Sequence, residues 1–253
     1  MSWQSLMPWS HAQPRVAWFG KLPGQGDFVG RRMPRAMSGA WDDWLSHGLG
    51  RLKASGQGDW ERTFTQAPLW SFVACGSKGA APSCGVLAPS IDRVGRCYPL
   101  TVIAVGEGKR QALEADGVLG RFFEEACHAV IEARRLALPA DALDSQLSRL
   151  PWPFTAAPAS PAAASPGPAS TAGQAGAMAG ILSDLGMGQG SAPGRGGAVF
   201  SRGREILRAG QPASFWWAHA AGPFAGRSCE HWGEPNESLF LRLFGGAGSG
   251  TAA

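Results

Sequence analysis

Features that define several common protein classes are missing from this sequence of 253 residues. There is no long block of basic residues, which argues against nucleic-acid binding despite a net charge of +4. No apolar stretch approaches the roughly 20 residues that a helix needs to cross a bilayer, so membrane insertion is not expected. The five cysteines include no Cys-x-x-Cys pair, which argues against a zinc or redox site. We therefore expect no metal and no other cofactor.

The two ends of the chain and one internal stretch differ in composition from the rest. Residues 1–14 lack the basic and apolar regions of a signal peptide and are interpreted as a tail. Cysteines without close partners are typical of a reducing compartment, so the sequence predicts a cytoplasmic protein. Residues 155–196 are rich in alanine, proline, glycine and serine, which predicts a flexible insertion within a single domain spanning 15–244. Residues 245–253 form a second tail of small residues.

Short apolar runs separated by turn residues predict a sheet. Strands are expected near residues 16–19, 69–75, 84–88, 100–105, 198–200 and 214–218. Several connections are too short for crossover helices, which favours antiparallel neighbours. Apolar residues at three- and four-residue spacing predict helices near residues 37–53, 116–137, 140–150 and 236–244. Gly48 and Gly50 should kink the first of these helices or end it early.

An unusual polar cluster lies in the connection between the predicted strands at 84–88 and 100–105. This segment, residues 89–96, is called the arginine corner and contains Asp92, Arg93, Gly95 and Arg96. An aspartate among arginines can hold their guanidinium groups by charge-assisted hydrogen bonds and so fix a tight turn. Gly95 permits the positive backbone torsion that such a turn often requires.

A second polar segment, the glycine-rich loop at residues 20–28, follows the first predicted strand. The loop differs from a Walker phosphate-binding loop at two positions: Arg15 stands at the position of the first glycine, and Leu22 replaces the hydroxyl residue that binds magnesium. A turn that brings two backbone segments together is therefore the favoured interpretation, with Asp27 accepting hydrogen bonds from local amides.

No catalytic constellation is recognisable in the sequence. Ser90 follows a proline, not the glycine of a nucleophile elbow, and no histidine stands in a partner motif. Paired carboxylates such as Asp42 and Asp43 are adjacent, so on a helix they point in different directions. We therefore predict that the protein is not an enzyme and has no catalytic residues.

What remains is a pattern that suits the binding of another macromolecule. Charged residues in or next to the two loops could form one patch beside aromatic side chains: Lys21, Asp27, Arg31, Asp92, Arg93 and Arg96. Arginine and tryptophan are the residue types that dominate interface energies. The same residues could instead brace the two loops, and the residues alone leave both interpretations open. Consecutive aromatics Phe215, Trp216 and Trp217 cannot share one face of a strand, so both faces must be covered or one ring exposed.

Three segments of the sequence resemble the TagF family, also called ImpM, of type VI secretion system-associated proteins. The first, residues 18–28, includes the motif residues Lys21, Pro23, Gly26 and Asp27. The second, residues 85–96 followed by Tyr-Pro-Leu-Thr, includes the motif residues Ser90, Asp92, Arg93, Gly95 and Arg96. The third is the pair Trp216 and Trp217 in a late strand. The resemblance extends over most of residues 16–244, apart from the insertion.

The resemblance implies a cytoplasmic bacterial protein with an α/β fold of the α+β type: a mostly antiparallel sheet flanked by helices, similar to longin-like domains. It further implies a repressor that acts on type VI secretion after translation, through contact with a forkhead-associated scaffold protein of the apparatus. Some relatives carry a PppA-type phosphatase domain, for which this chain has no room, so a phosphatase partner would be separate. The resemblance brings no catalytic residues with it, and the motif residues are carried over without an assigned role.

Two alternative functions remain open. The glycine-rich loop and the arginine corner could grip a phosphate or a nucleotide, with Arg93 or Arg96 as the anion ligand. A hydrolase built around Ser90 is the least favoured. The decisive observation is whether Asp92 and the two arginines face solvent beside Lys21 or lie in a buried network.

Overall fold

The fold is seen in a computed structural model that describes residues 16–33, 35–55, 59–76, 81–107, 111–156, 193–208, 210–219 and 226–246. Within these ranges the strands are β1 (Ala17–Gly20), β2 (Val29–Arg31), β3 (Leu69–Cys75), β4 (Ser83–Ala88), β5 (Leu100–Val105), β6 (Gln111–Leu113), β7 (Phe154–Ala156), β8 (Ala213–His219) and β9 (Ser228–Trp232). The helices are α1 (Arg35–Ala54), α2 (Trp60–Thr65), α3 (Asp116–Arg135), α4 (Ala140–Leu147), α5 (Pro193–Arg208) and α6 (Glu237–Phe244).

Seven of these strands form one sheet in the order β2-β1-β5-β4-β3-β8-β9, and every pairing in it is antiparallel. The short strands β6 and β7 pair separately. The predicted fold class, a mostly antiparallel sheet flanked by helices in a single α+β domain, is confirmed. Because neighbouring strands alternate in direction, β1, β4 and β8 end at the same end of the sheet at which β3 and β5 begin.

Each face of the sheet is covered by its own group of helices. One core contains apolar residues of α1, α2 and α6 and the sheet residues that face them, among them Trp41, Phe72 and Phe240. The other contains residues of α3, α4 and α5, among them Phe122 and Val130. The central strands β4 and β5 are buried along their whole length, which is why they are apolar and lack the alternation of a half-exposed strand.

Both faces of β8 are covered, which is the first of the two arrangements that the three consecutive aromatic residues allow. Trp216 is fully buried on the α1 face, where its ring stacks on Phe72 at a centroid distance of 4.6 Å. Trp217 points to the opposite face and contacts Phe123 edge-on at 4.8 Å. Phe215 is buried and stacks against Trp217. The tryptophan pair therefore belongs to two different cores.

The predicted strand at residues 198–200 is wrong, because these residues lie within α5. Phe200 and Ile206 are buried, and Gly203 lies close to Val73 of the sheet, so the buried positions recur at helical spacing. The three-residue apolar run Ala-Val-Phe does not distinguish a strand from one turn of a buried helix. Residues 155–156 and 193–196 of the predicted insertion lie in β7 and α5, and the remainder lies outside the described residues.

The predicted early end of the first helix does not occur, since α1 continues through both glycines to Ala54. Gly48 is buried where α1 crosses α6, and a Cβ atom there would lie 2.2 Å from Cγ of Phe240. Gly50 is exposed, with nothing within 4 Å of the place where its Cβ would be. Gly48 thus permits close helix packing, whereas Gly50 has no such role.

We expect Gly48→Ala and Gly50→Ala to change stability in opposite directions. The Gly48→Ala methyl would overlap the base of a buried ring, and we expect the free energy of unfolding to fall by about 1–3 kcal/mol. Gly50→Ala should raise it by up to about 1 kcal/mol through helix propensity. Urea denaturation of both variants measures this difference. Stabilisation by Gly48→Ala would contradict the close packing of α1 on α6.

In the part of the chain that the structure describes, no helix combines the length and the apolar character that a membrane crossing demands.

Candidate functional site

The glycine-rich loop and the arginine corner meet at one end of the sheet. The loop leaves β1 and the corner connects β4 to β5, whose ends lie side by side because β1 and β4 both pair with β5. Several hydrogen bonds join them. Ser90 Oγ donates to the Lys21 carbonyl (2.8 Å), the Arg93 amide donates to the Gln25 carbonyl (2.8 Å), and Arg96 Nη2 donates to the Gly26 carbonyl (2.6 Å).

Asp92 is the centre of this junction, and its side chain is completely buried. Its Oδ2 atom forms ion pairs with Lys21 Nζ at 3.0 Å and Arg96 Nε at 2.6 Å. Its Oδ1 atom accepts hydrogen bonds from the backbone amides of Val94 (3.1 Å) and Arg96 (2.9 Å). The predicted role of an aspartate holding a tight corner is thus seen in the structure, with Lys21 from the other loop as an additional partner.

The electrostatics of Asp92 favour a permanently charged carboxylate. Burial alone raises the pKa of Asp92, but the bonds from the Arg96 amide, Lys21, the Arg96 guanidinium and the Val94 amide outweigh it. The pKa of Asp92 is therefore held well below its usual range. A carboxylate with four donors has no capacity left for a ligand or a partner.

The backbone of the corner is a tight turn that depends on glycine. The Gly95 amide donates to the Asp92 carbonyl at 3.0 Å, and Gly95 has a φ of +86°, which favours glycine. The Asp92 amide donates in return to the Arg96 carbonyl at 3.1 Å, so the corner closes on itself. The predicted need for a positive torsion at Gly95 is confirmed.

The chemistry of the described residues gives no support to a serine or cysteine nucleophile. Ser90 is buried and its hydroxyl donates to a backbone carbonyl, with no histidine hydrogen-bonded to it. Burial raises the pKa of Cys84 well above its ordinary value and that of Cys127 to about 12, which disfavours the reactive thiolate. No group of three or more histidine, cysteine, aspartate or glutamate residues in the described ranges is arranged to hold a metal ion.

The outer surface of the junction is apolar and basic. Phe28 of the loop is 43% exposed and Val94 of the corner is 68% exposed. Arg93 and Arg96 are exposed beside Val94, and Asp27 beside Phe28. We call these five residues the loop face. Apart from Asp92 and Ser90, which are buried, the motif residues of the corner thus reach solvent, whereas Lys21 of the glycine-rich loop is buried.

Phe28 is held firmly although it is exposed. Its ring stacks on Phe19 at a centroid distance of 5.5 Å and meets the edge of Tyr98 at 4.7 Å. Lys21 Nζ lies 5.1 Å from the centre of the same ring. A rigid exposed aromatic loses little conformational freedom when it binds, which favours a role in recognition.

The other predicted site residues lie in different places. Arg31 lies in the edge strand β2 and pairs with Asp141 of α4 at 2.8 Å, away from the corner. Trp216 is buried in the sheet and Trp217 is half-buried, so neither belongs to the loop face. Pro23 lines a cleft on the other side of the glycine-rich loop. Gly26 accommodates Arg93, since a Cβ there would come within 3.2 Å of its Nη2 atom.

A cleft of about 320 Å³ opens at the same end of the sheet, between the loops and the ends of α2 and α3. Its lining residues come from segments far apart in the sequence: Pro23, Thr65, Ser90, Ile91, Ile131, Arg134 and Arg135.

Sequence reasoning missed Phe28 and Val94 as site residues, and it missed Arg134 and Arg135. For the first two the available signal was a large apolar residue in a loop of glycine and charged residues.

The fold and the junction define an α+β protein in which a buried ion-pair network locks two loops together and an apolar, basic face lies outside them. The chain belongs to the TagF family: residues 17–150 match the TagF N-terminal domain, type VI secretion system-associated. The match includes both loops but not the tryptophan pair. The suspected family is therefore confirmed, and with it the association with type VI secretion.

One solved structure supports the fold independently. The crystal structure of PA0076 from Pseudomonas aeruginosa PAO1 is similar to this chain with a TM-score of 0.61 and 24% sequence identity. The similarity covers 90% of this chain and 93% of that one. Among curated proteins none matches this chain.

Proposed function

We propose that this chain is a non-enzymatic, cytoplasmic repressor that regulates type VI secretion after translation by binding a forkhead-associated scaffold protein of the apparatus. Membership of the TagF family supplies the association with type VI secretion. The loop face, built from the two motif loops of that family, is the proposed docking surface.

The observation that carries this proposal is where the exposed apolar side chains lie. Four large apolar side chains are exposed among the described residues, and Phe28, Val94 and Leu136 are at the end of the sheet that bears the loops. Leu136 caps α3 next to Ala137, whose carbonyl oxygen packs against Gly24 of the glycine-rich loop. The fourth, Trp232, lies at the opposite end of the sheet. Apolar groups flanked by arginines are typical of the centres of protein interfaces.

The buried part of the junction has a supporting role in this proposal. Asp92, Lys21 and Ser90 fix the two loops relative to each other, so that Val94 and Phe28 are presented in one rigid arrangement. Pre-organisation of this kind lowers the entropic cost of binding. The two interpretations left open by the sequence thus apply to different residues: the buried ones brace the loops and the exposed ones are available to a partner.

The alternative of phosphate or nucleotide sensing at these two loops has weaker support. Arg96 already binds Asp92 and the Gly26 carbonyl, and Lys21 is buried against Asp92. An incoming phosphate would have to break these bonds. Arg93 is the one motif cation of the corner with no carboxylate within 4 Å among the described residues, and a single exposed arginine makes a weak anion site.

We expect the double change Arg93→Glu and Val94→Asp to weaken binding of the forkhead-associated protein by about 30-fold or more, as the loss of a hot spot does. Both residues are exposed, so the thermal midpoint should change little. Isothermal titration calorimetry with the purified proteins measures the affinity. Trp232→Asp is the matched control, because it also places a carboxylate on an exposed apolar position, at the opposite end of the sheet. Wild-type affinity in the double variant would contradict the docking surface, and lack of binding by the unmodified chain would contradict the partner.

A further inference from the structure

The cleft between the loops and α3 has a lining that suits a small ligand. Pro23, Ile91 and Ile131 contribute apolar surface, and the Ser90 hydroxyl is already bonded to the Lys21 carbonyl. The volume of about 320 Å³ lies at the lower end of the range for small-molecule sites. The charged groups of the lining are Arg134 and Arg135, both from the last turn of α3.

Arg134 is unusual among the partly buried arginines of the described residues. Arg32 and Arg204 are comparably buried, and they pair with Asp144 at 2.6 Å and Asp116 at 2.7 Å. Neither Arg134 nor Arg135 has a carboxylate within 4 Å or a side-chain hydrogen bond in the part of the chain that is described. Burial also lowers the pKa of Arg134, which means that its environment opposes the positive charge.

The helix dipole does not account for this arrangement. A cation in the last helical turn gains about 0.3–1 kcal/mol at an exposed position and up to about 2 kcal/mol where it is partly buried. Arg135, which is exposed, already supplies such a cation. Withdrawing a second guanidinium from water without a counter-charge has a cost that the dipole does not offset. A negatively charged ligand in the cleft would supply the counter-charge that Arg134 lacks.

We propose that this cleft binds a small organic anion, a phosphate or carboxylate attached to an apolar group. Guanidinium groups bind both kinds of anion through paired hydrogen bonds. The apolar part would lie against Pro23, Ile91 and Ile131. The site goes beyond the proposed docking of a protein and stands next to it, since Ser90 and Ile91 belong to the arginine corner. A ligand in the cleft would thus contact the segment that carries Val94.

Thermal denaturation and calorimetry with phenyl phosphate and benzoate test the site, at matched ionic strength in chloride. We expect one or both probes to raise the midpoint by about 2–4 °C at about five times Kd, whereas benzyl alcohol, with the same ring and no charge, should not. Phenyl phosphate against benzoate distinguishes a phosphate from a carboxylate ligand. No response to either anion at 10 mM, roughly the upper limit for a useful small-ligand site, would overturn the proposal, and so would equal binding of benzyl alcohol.

Arg134→Met separates a ligand-binding role from a structural one. We expect it to weaken probe binding by at least about tenfold, the cost of a lost charge-assisted contact, while the midpoint in chloride stays the same or rises. Arg121→Met, on the exposed face of the same helix, is the control and should leave probe binding unchanged. A lower midpoint in chloride for Arg134→Met, or an unchanged probe affinity, would overturn the proposal. Neither of these results would contradict the proposed docking of a protein, because partner binding is measured without any probe.

Discussion

Asp92→Asn is expected to lower the free energy of unfolding by about 3–5 kcal/mol, because it removes one member of a buried ion pair and leaves the other charge without a partner. Lys21 is buried almost as deeply as Asp92, and their charged atoms lie 3.0 Å apart. Urea denaturation followed by tryptophan fluorescence measures the loss. Asp27→Asn is the matched control: Asp27 is exposed and, among the described residues, accepts a bond only from the next amide, so its change should be within about 0.5 kcal/mol.

The Asp92 network also predicts a dependence of stability on pH. The folded-state pKa of Asp92 is lowered, so its contribution is complete above the unfolded-state pKa of about 3.9 and is lost as the pH falls through the folded-state value. The stability difference between wild type and Asp92→Asn should therefore be constant at neutral pH and shrink in strong acid. A difference that stayed near zero at neutral pH would contradict the network.

Trp216→Ala should lower the free energy of unfolding by about 3–5 kcal/mol, the range for a large aromatic removed from a core. Trp216 is fully buried, stacks on Phe72 and lies 5.9 Å from the ring of Trp44. Its removal would leave a cavity between the sheet and α1. Circular dichroism during urea denaturation measures the loss without depending on tryptophan emission.

Trp232→Ala provides the comparison for Trp216→Ala. Trp232 is 51% exposed at the end of the edge strand β9, so its removal should change the free energy of unfolding by about 0.5 kcal/mol or less. Equal losses for the two variants would contradict the assignment of Trp216 to the core. They would also reopen the question of whether the tryptophan pair contacts a partner.

The burial of Asp92 changes how a mutation in the corner should be interpreted. A substitution at Asp92 that weakens partner binding reports the collapse of the corner, because the carboxylate does not reach the surface. Arg93 and Val94 are exposed on the same turn and test docking directly. Variants at these two positions separate bracing from recognition.

The long elements of the fold could be predicted from the sequence because their patterns are strong. β5 is a continuous β-branched and apolar run, and α3 has apolar residues on one face over five turns. β2, β6 and β7 have three residues each, too few for a periodic pattern. The strand prediction for residues 198–200 is wrong because the glycine-rich sequence of α5 has weak helix propensity and burial against β3 decides its conformation.

The candidate site could be predicted in part. The sequence shows an aspartate among arginines next to a buried strand, which is enough to expect a braced corner. It does not show that Lys21 completes the network, since that contact depends on β1 and β4 both pairing with β5. The cleft escapes prediction for the same reason: Pro23, Ile91 and Arg134 come together through tertiary packing alone.

The position of β8 has a consequence for how the chain reaches this fold. β8 pairs with β3 along its whole length, although Phe72 and its partner Trp216 are more than half the chain apart. Until β8 arrives, β3 is an unprotected edge with an apolar sequence, the kind of strand that recruits other chains into aggregates. Loop closure adds little to this difficulty, since doubling a connection costs only about 0.6 kcal/mol. By supplying β8, the C-terminal third of the chain therefore protects the β3 edge of the part that carries both motif loops from pairing with other chains.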